Sequence, residues 1–237
     1  MKRFLSHRKG VFALLLALFM GMGTAYAYSF SATCSTGQTL YYNIIDATNH
    51  YVEITYPGTS TSDPWGNFTK PTGNITLPSS VIYNSVTYTV TKIGSYAFKN
   101  CSGLTGSLVI PNTVTSIGND AFEECTGFTG SLSLGNSLTM IGQKAFYDCW
   151  RFTGQLTLPN SLSTIAMYAF YNCYGFTGSL VIPNSIYVLN TYAFCHCRGF
   201  SELTIGSSLS SINYGVFYGC TGLTAITVLR DTPPSLG

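Results

Sequence analysis

One phenylalanine recurs along this chain at a fixed step. Phe98, Phe122, Phe146, Phe170 and Phe194 follow one another at intervals of 24 residues, and Phe217 comes after 23. Three further columns keep time with it. They are Cys101, Cys125, Cys149, Cys173, Cys197 and Cys220; Ile93, Ile117, Ile141, Ile165, Leu189 and Ile212; and Leu104, Phe128, Phe152, Phe176, Phe200 and Leu223. The residue missing from the last interval falls between Phe200 and Leu203. A period of this length with fixed apolar columns describes a unit that can bury its apolar face only against its neighbours. The chain is therefore expected to stack as a solenoid, with the retained letters inside and the changed ones outside.

Within each copy a short alternation reads as a half-buried strand: Leu108-Val109-Ile110, Leu132-Ser133-Leu134, Leu156-Thr157-Leu158, Leu180-Val181-Ile182, Leu203-Thr204-Ile205 and Ile226-Thr227-Val228. These strands are expected to form one parallel sheet. Pro111, Pro159 and Pro183, or Gly135 and Gly206, follow directly and end each strand. A second extended piece such as Thr115-Ser116-Ile117-Gly118 comes next, and Ala-Phe-x-x-Cys allows at most one helical turn. With strands ~4.8 Å apart, six coils make a rod roughly 25 to 30 Å long.

Residues 28–91 differ. Gln38 to Asp46 and His50 to Pro57 alternate and are joined through Ala47-Thr48-Asn49, which predicts a hairpin, and Tyr83 to Val90 reads as part of another. The first coil would otherwise expose an apolar face and a sheet edge, so this region is expected to be an N-terminal β cap with an atypical first repeat. The solenoid of about six coils spans 92–229 and a tail covers 230–237. In that tail Pro233-Pro234 should stop further pairing, with little apolar material left for a lid. Pairing of this last coil with another chain is a second expectation.

The first 27 residues have another purpose. Lys2, Arg3, Arg8 and Lys9 precede an apolar run from Val11 to Met20, and Ala25-Tyr26-Ala27 supplies small residues for cleavage. This is the pattern of a secretory signal peptide, cut after Ala27. The apolar run is too short for the roughly 20 residues that span a bilayer, and no later stretch reaches that length. Removing it takes four of the eleven Lys and Arg, leaving seven against nine Asp and Glu, so the net charge moves from +2 to −2. The basic footprint of a nucleic-acid binder is absent.

From Leu108 to Cys125 the sequence reads LVIPNTVTSIGNDAFEEC. Its Ile-Pro after the strand, Ser-Ile-Gly, Ala-Phe and Cys three residues on resemble the BspA-type leucine-rich repeat, and the resemblance covers about Gly73 to Val228. It implies a secreted or surface-attached bacterial protein concerned with adhesion to host proteins and other cells. It carries no motif for a catalytic or ligand-binding residue.

Stacked cysteines of one column have parallel Cβ vectors about 4.8 Å apart, wider than the roughly 3.8 Å of a disulfide, so a ladder of buried free thiols is expected. Cys34 and Cys195 lie outside the column, and their pairing stays open. Cys195-His196-Cys197 offers metal-ligand types, but Cys195 and His196 are expected to be exposed and no second cluster completes four ligands. Asp120, Glu123 and Glu124 are the one acidic cluster, with surface ion pairs expected from Glu123 to Lys99 and from Asp120 to Lys144. Only His50 and His196 remain as bases beyond residue 27, and no Gly-x-Ser-x-Gly elbow occurs, so neither catalysis nor a cofactor is expected.

What varies is aromatic. Tyr96, Tyr168 and Tyr192 share one column, Tyr147, Tyr171 and Tyr218 another, and Trp150 and Tyr174 the place after the cysteine. Such residues give large contact area with a polar handle. They also stack as neighbours to shield a turn edge. With the small, neutral outward positions of the sheet they form the candidate binding surface. The expected ligand is an extracellular protein or a glycan.

Overall fold

The computed structural model describes residues 28–237, so the expected signal peptide lies outside the described residues. The cap opens with β1 (Phe30–Thr33), β2 (Thr39–Asp46) and β3 (Tyr51–Thr55), paired antiparallel in that order. A loop pinned by buried Trp65, edge-on to Tyr41 at 5.8 Å, leads to β4 (Gly73–Asn74). β5 (Ser80–Tyr83) and β6 (Val86–Ile93) then form a hairpin. Its turn residues Asn84 and Ser85 have φ of 50° and 64°, the left-handed pair that a two-residue turn demands.

β6 joins cap to coils, because it pairs parallel with β3 and carries Ile93, the first member of the isoleucine column. In coil 1 (Phe98, Cys101) come β7 (Leu104–Val109) and β8 (Ser116–Ile117), and in coil 2 (Phe122, Cys125) β9 (Phe128–Ser133) and β10 (Met140–Ile141). Coil 3 (Phe146, Cys149) holds only the short β11 (Thr164–Ile165). Coil 4 has β12 (Gly178–Ile182) and β13 (Val188–Leu189), coil 5 β14 (Phe200–Ile205) and β15 (Ser211–Ile212), and coil 6 β16 (Ala225–Val228) and β17 (Ser235–Leu236). Ile93, Ile117, Ile141 and Ile165 pair in succession, so one eight-stranded sheet runs from the cap into coil 3 and leaves no open edge between them. The fold is a mainly β solenoid.

Two phenylalanine ladders fill it. Phe98, Phe122, Phe146, Phe170 and Phe194 stack at 5.1, 5.2, 5.3 and 5.3 Å with planes within 8°. Phe128, Phe152, Phe176 and Phe200 stack at 5.1, 5.7 and 6.3 Å, and the two ladders meet edge to face at 6.4 to 6.5 Å. Identical rings over one another bury their faces at one depth, which is the packing reason for the period.

The long strands do not form the single sheet expected. They divide into β4-β7-β9 and β12-β14-β16, and the Leu156-Thr157-Leu158 segment between them pairs with neither beyond a lone bridge from Gly154 to Phe176. The cause lies two residues after the cysteine, where the coils carry Gly127, Arg151, Gly175, Gly199 and Gly222. A Cβ built at Gly127, Gly175, Gly199 or Gly222 would lie 2.1 to 2.2 Å from a carbonyl oxygen of the preceding coil. Arg151 brings that Cβ into coil 3, and the following segment gives up its ladder. The Gln155 side-chain amide then donates to the Ser179 carbonyl at 2.9 Å, in place of a backbone donor. The short strands break once as well, between β11 and β13, where the Asn190 amide reaches the Ile165 carbonyl at 2.7 Å.

The tail also departs from expectation. Pairing resumes after Pro233-Pro234, since Ser235 and Leu236 align with Ser211 and Ile212. The prolines need no ladder donor of their own there, and the Ser235 backbone and hydroxyl both donate to Ser210.

Candidate functional site

The variable aromatic residues occupy the turn edge, and two left-handed residues per coil build it. Tyr96, Asp120, Lys144, Tyr168 and Tyr192 have φ between 54° and 62°, and Asn100, Glu124, Asp148, Asn172 and His196 between 56° and 60°. In coil 6 both places fall to glycine, Gly215 and Gly219, which adopt such angles freely. This alternation aims every second N–H along the stack. Tyr96, Phe98 and Asn100 donate to the carbonyls of Asn119, Ala121 and Glu123 in the next coil, at 2.9, 2.7 and 2.8 Å. The edge is thereby as regularly bonded as a sheet, and its side chains sit on a fixed backbone.

Beneath it lie the cysteines. All eight are free thiols and buried. Cys125, Cys149 and Cys173 donate to the carbonyls of Phe98, Phe122 and Phe146 at 3.0 Å, and Cys197 and Cys220 to those of Phe170 and Phe194 at 3.1 Å. Cys101 has no coil before it and reaches only the Lys99 carbonyl at 3.9 Å. Burial raises these thiols well above their ordinary range, Cys220 to about 11. They stay protonated, as donors must.

Cys195 is buried, not exposed: it is 1% accessible. It stands in the column of Tyr147, Tyr171 and Tyr218, where a small side chain sinks between its larger neighbours. His196 is half-buried, wedged edge-on between the rings of Tyr171 (5.6 Å) and Tyr218 (5.4 Å). Among the described residues no group of three His, Cys, Asp or Glu side chains could hold a metal ion.

The acidic cluster also differs from its expected pairing. Lys99 meets Glu123 at 2.6 Å and Asp120 at 3.7 Å, but Lys144 meets Glu123, at 3.5 Å, rather than Asp120. Glu123 is buried between the two ammonium groups. Burial pushes its carboxyl up, yet hydrogen bonds from Lys99 and Asp120 and the charges of both lysines outweigh this and hold it below the usual range. Burial, then the hydrogen bond and charge of Glu123, push Asp120 up to about 6.

Around coils 3 to 6 the rings form a continuous tier. Tyr147 stacks on Tyr171 at 4.8 Å, Tyr168 on Tyr192 at 5.1 Å, and Tyr168 and Tyr171 lie 5.8 Å apart, tying the two columns together. His196 extends the first column to Tyr218, and Tyr214 extends the second by standing perpendicular to Tyr192 at 5.5 Å. Trp150 stacks on Tyr174 at 5.6 Å. Tyr96 is apart from this tier, paired with Tyr56 of the cap at 6.0 Å and covered by Lys99. Burial raises the Tyr147 and Tyr171 phenols, so both remain hydroxyl donors at neutral pH. His196 and Tyr214 escape a reading by columns. One stands in the column of Asn100, Glu124, Asp148 and Asn172, and the other falls in register with Thr191, one residue before the Tyr192 place that Gly215 takes.

A family model described as BspA type Leucine rich repeat region matches residues 67–175 and 91–224, with six copies. The chain is similar to the crystal structure of a leucine-rich repeat protein of T. pallidum, at 25% identity and a TM-score of 0.69, over 84% of this chain and 83% of that one. A leucine rich cell surface protein of Faecalibacterium prausnitzii is similar at 22% identity and a TM-score of 0.65, over 86% of this chain and 56% of that one. A leucine-rich repeat protein of Bacteroides ovatus follows at 24% and 0.56, over 79% and 51%. No curated protein matches the chain. No helix among the described residues is long and apolar enough to cross a membrane.

Proposed function

The chain belongs to the BspA-type leucine-rich repeat family, and from that premise we propose that it is a non-enzymatic binding protein. It acts outside the cell, exported through residues 1–27, and attaches to a protein of a host or a neighbouring cell. The similar F. prausnitzii protein is described as a cell surface protein, and the same location is proposed here. The observation that carries the reading is the tier from Tyr147 to Tyr218, held on a bonded backbone at the turn edge. Tyr218 is 66% exposed and Tyr214 is 65% exposed at its end. Amphipathic rings on a rigid frame lose little conformational freedom on binding, which suits them to protein contacts.

The stacking favours a protein over a glycan. A sugar packs against the open face of an aromatic ring, whereas in the pairs Tyr147–Tyr171, Tyr168–Tyr192 and Trp150–Tyr174 each ring has one face covered by its neighbour. An array of matrix proteins and glycans tests this. Matrix-protein signals should fall at least about tenfold in Tyr171→Ala and Tyr218→Ala. Glycan signals alone, or protein signals indifferent to both changes, would sink the proposal.

A second reading is favoured by coil 6. Ile226 and Leu236 occupy columns buried in earlier coils yet are 62% and 81% exposed, beside the unpaired edges of β16 and β17. An edge of this kind pairs readily with another chain. Self-association abolished by Ile226→Lys would support that reading, and a concentration-independent sedimentation coefficient would remove it.

A further inference from the structure

The region beyond residue 27 has seven Lys and Arg residues, and three of them are engaged. Lys99 and Lys144 are held by the acidic pair, and Arg230 donates to the Leu209 carbonyl and the Thr232 hydroxyl. Arg151 and Arg198 are exposed and make no ion pair or side-chain hydrogen bond among the described residues. They flank one feature. Arg151 lies over the Trp150 ring at 5.6 Å, Trp150 stacks on Tyr174, and Arg198 stands in the next coil of that same column.

Arg151 is also the residue that interrupts the sheet. Every neighbouring coil keeps glycine at its place, so the arginine is retained against the local packing rule. Departures of that sort concentrate at functional positions. Planar guanidinium groups fit carboxylates through paired N–H donors, and an aromatic face beside them fixes their orientation.

The geometry points to a binding site for an acidic peptide segment on the row Arg151, Trp150, Tyr174 and Arg198. The arginines stand two coils apart along the stack, roughly 10 Å at the usual strand spacing. A polyproline II peptide rises about 3.1 Å per residue and repeats its direction every three residues, so its carboxylates at i and i+3 lie about 9 Å apart. Such a peptide needs no sheet edge to pair with, and this face offers none. The inference rests on the reading of the turn edge as the binding surface and names the partner's chemistry there.

Intrinsic fluorescence gives the assay, because Trp65 is buried at 1% exposure and Trp150 is the other tryptophan. The full chain is titrated with a synthetic (Glu-Pro-Pro)4 peptide, its (Gln-Pro-Pro)4 counterpart and heparin. Saturable binding of the glutamate peptide is expected, at least tenfold tighter than the glutamine peptide and weakened at least tenfold in Arg151→Gln/Arg198→Gln. Arg198→Gln alone, at an exposed site away from the interrupted sheet, should lose several-fold with an unchanged circular dichroism spectrum. Equal binding of the two peptides, or an unaffected double variant, overturns the proposal. So does tighter arginine-dependent binding of heparin, which would make this a sulfated-glycan site. Loss of the peptide signal with matrix-protein signals intact removes this site only. Matrix signals indifferent to Tyr171 and Tyr218 remove the broader reading instead.

Discussion

Arg151→Gly should make the protein more stable although it deletes a stacked cation. The glycine removes the one Cβ in its column that has to be accommodated against the carbonyls of the preceding coil, and so allows Gly154 to Leu158 to approach β9 and β12. If about three to four ladder hydrogen bonds form, each worth a net ~0.5 to 1 kcal/mol at a water-facing sheet, the gain is about 2 to 3 kcal/mol. Against it stand the exposed cation–π contact with Trp150, about 0.5 to 1 kcal/mol, and the backbone entropy of glycine, another ~0.5 to 1 kcal/mol. The balance is about +1 kcal/mol, or roughly 2 to 4 °C in Tm for a chain of this size. Urea denaturation measures the sign, and amide exchange locates it: Leu156 and Leu158 should acquire the protection of Leu132 and Leu180. The reciprocal change, Gly175→Ala, should cost about 1 to 3 kcal/mol and expose β12 amides, since its Cβ would meet the Phe152 carbonyl at 2.2 Å. Unchanged exchange at Leu156 and Leu158 together with a lower Tm would refute the steric account.

The thiol ladder and the acidic pair give two more tests. Cys149→Ala removes one of the two donors of the Phe122 carbonyl, which keeps the Cys125 N–H at 3.1 Å, and should cost about 1 kcal/mol more in urea melts than Cys101→Ala, equally buried but without that bond; equal losses would mean that the thiols only fill space. Asp120, with a folded-state pKa raised to about 6 from an unfolded value near 3.8, contributes stability below about pH 4 that is lost as pH rises through 6. Wild type should therefore lose on the order of 1 kcal/mol relative to Asp120→Asn between pH 5 and 7.5, and parallel stability profiles for the two proteins would contradict it.

The repeat made the inward columns legible, because stacking identical coils requires identical side chains at one depth, and the Phe98 and Phe128 ladders follow directly. The interruption at coil 3 was written in the sequence too, as an arginine in a glycine column. Its meaning depends on a carbonyl 23 to 25 residues upstream, a distance that only the closed coil reveals. Columns also proved poor guides to long side chains. Asp120 and Lys144 are register neighbours, yet the Lys144 ammonium reaches across to Glu123. Cys195 was misplaced for the converse reason: a surface column becomes interior when its occupant is shorter than the rings around it. The aromatic columns could be read from spacing, but their fusion into one tier through Tyr168 and Tyr171 could not.

The close thiol bonds, at 3.0 to 3.1 Å, all run one way, from each coil back to the coil before it. A cysteine late in the chain finds its acceptor on a turn that already exists, while an early cysteine waits for nothing downstream. A polypeptide that emerges N-terminus first can accordingly wind up turn by turn from its cap, each new loop latching onto a finished template.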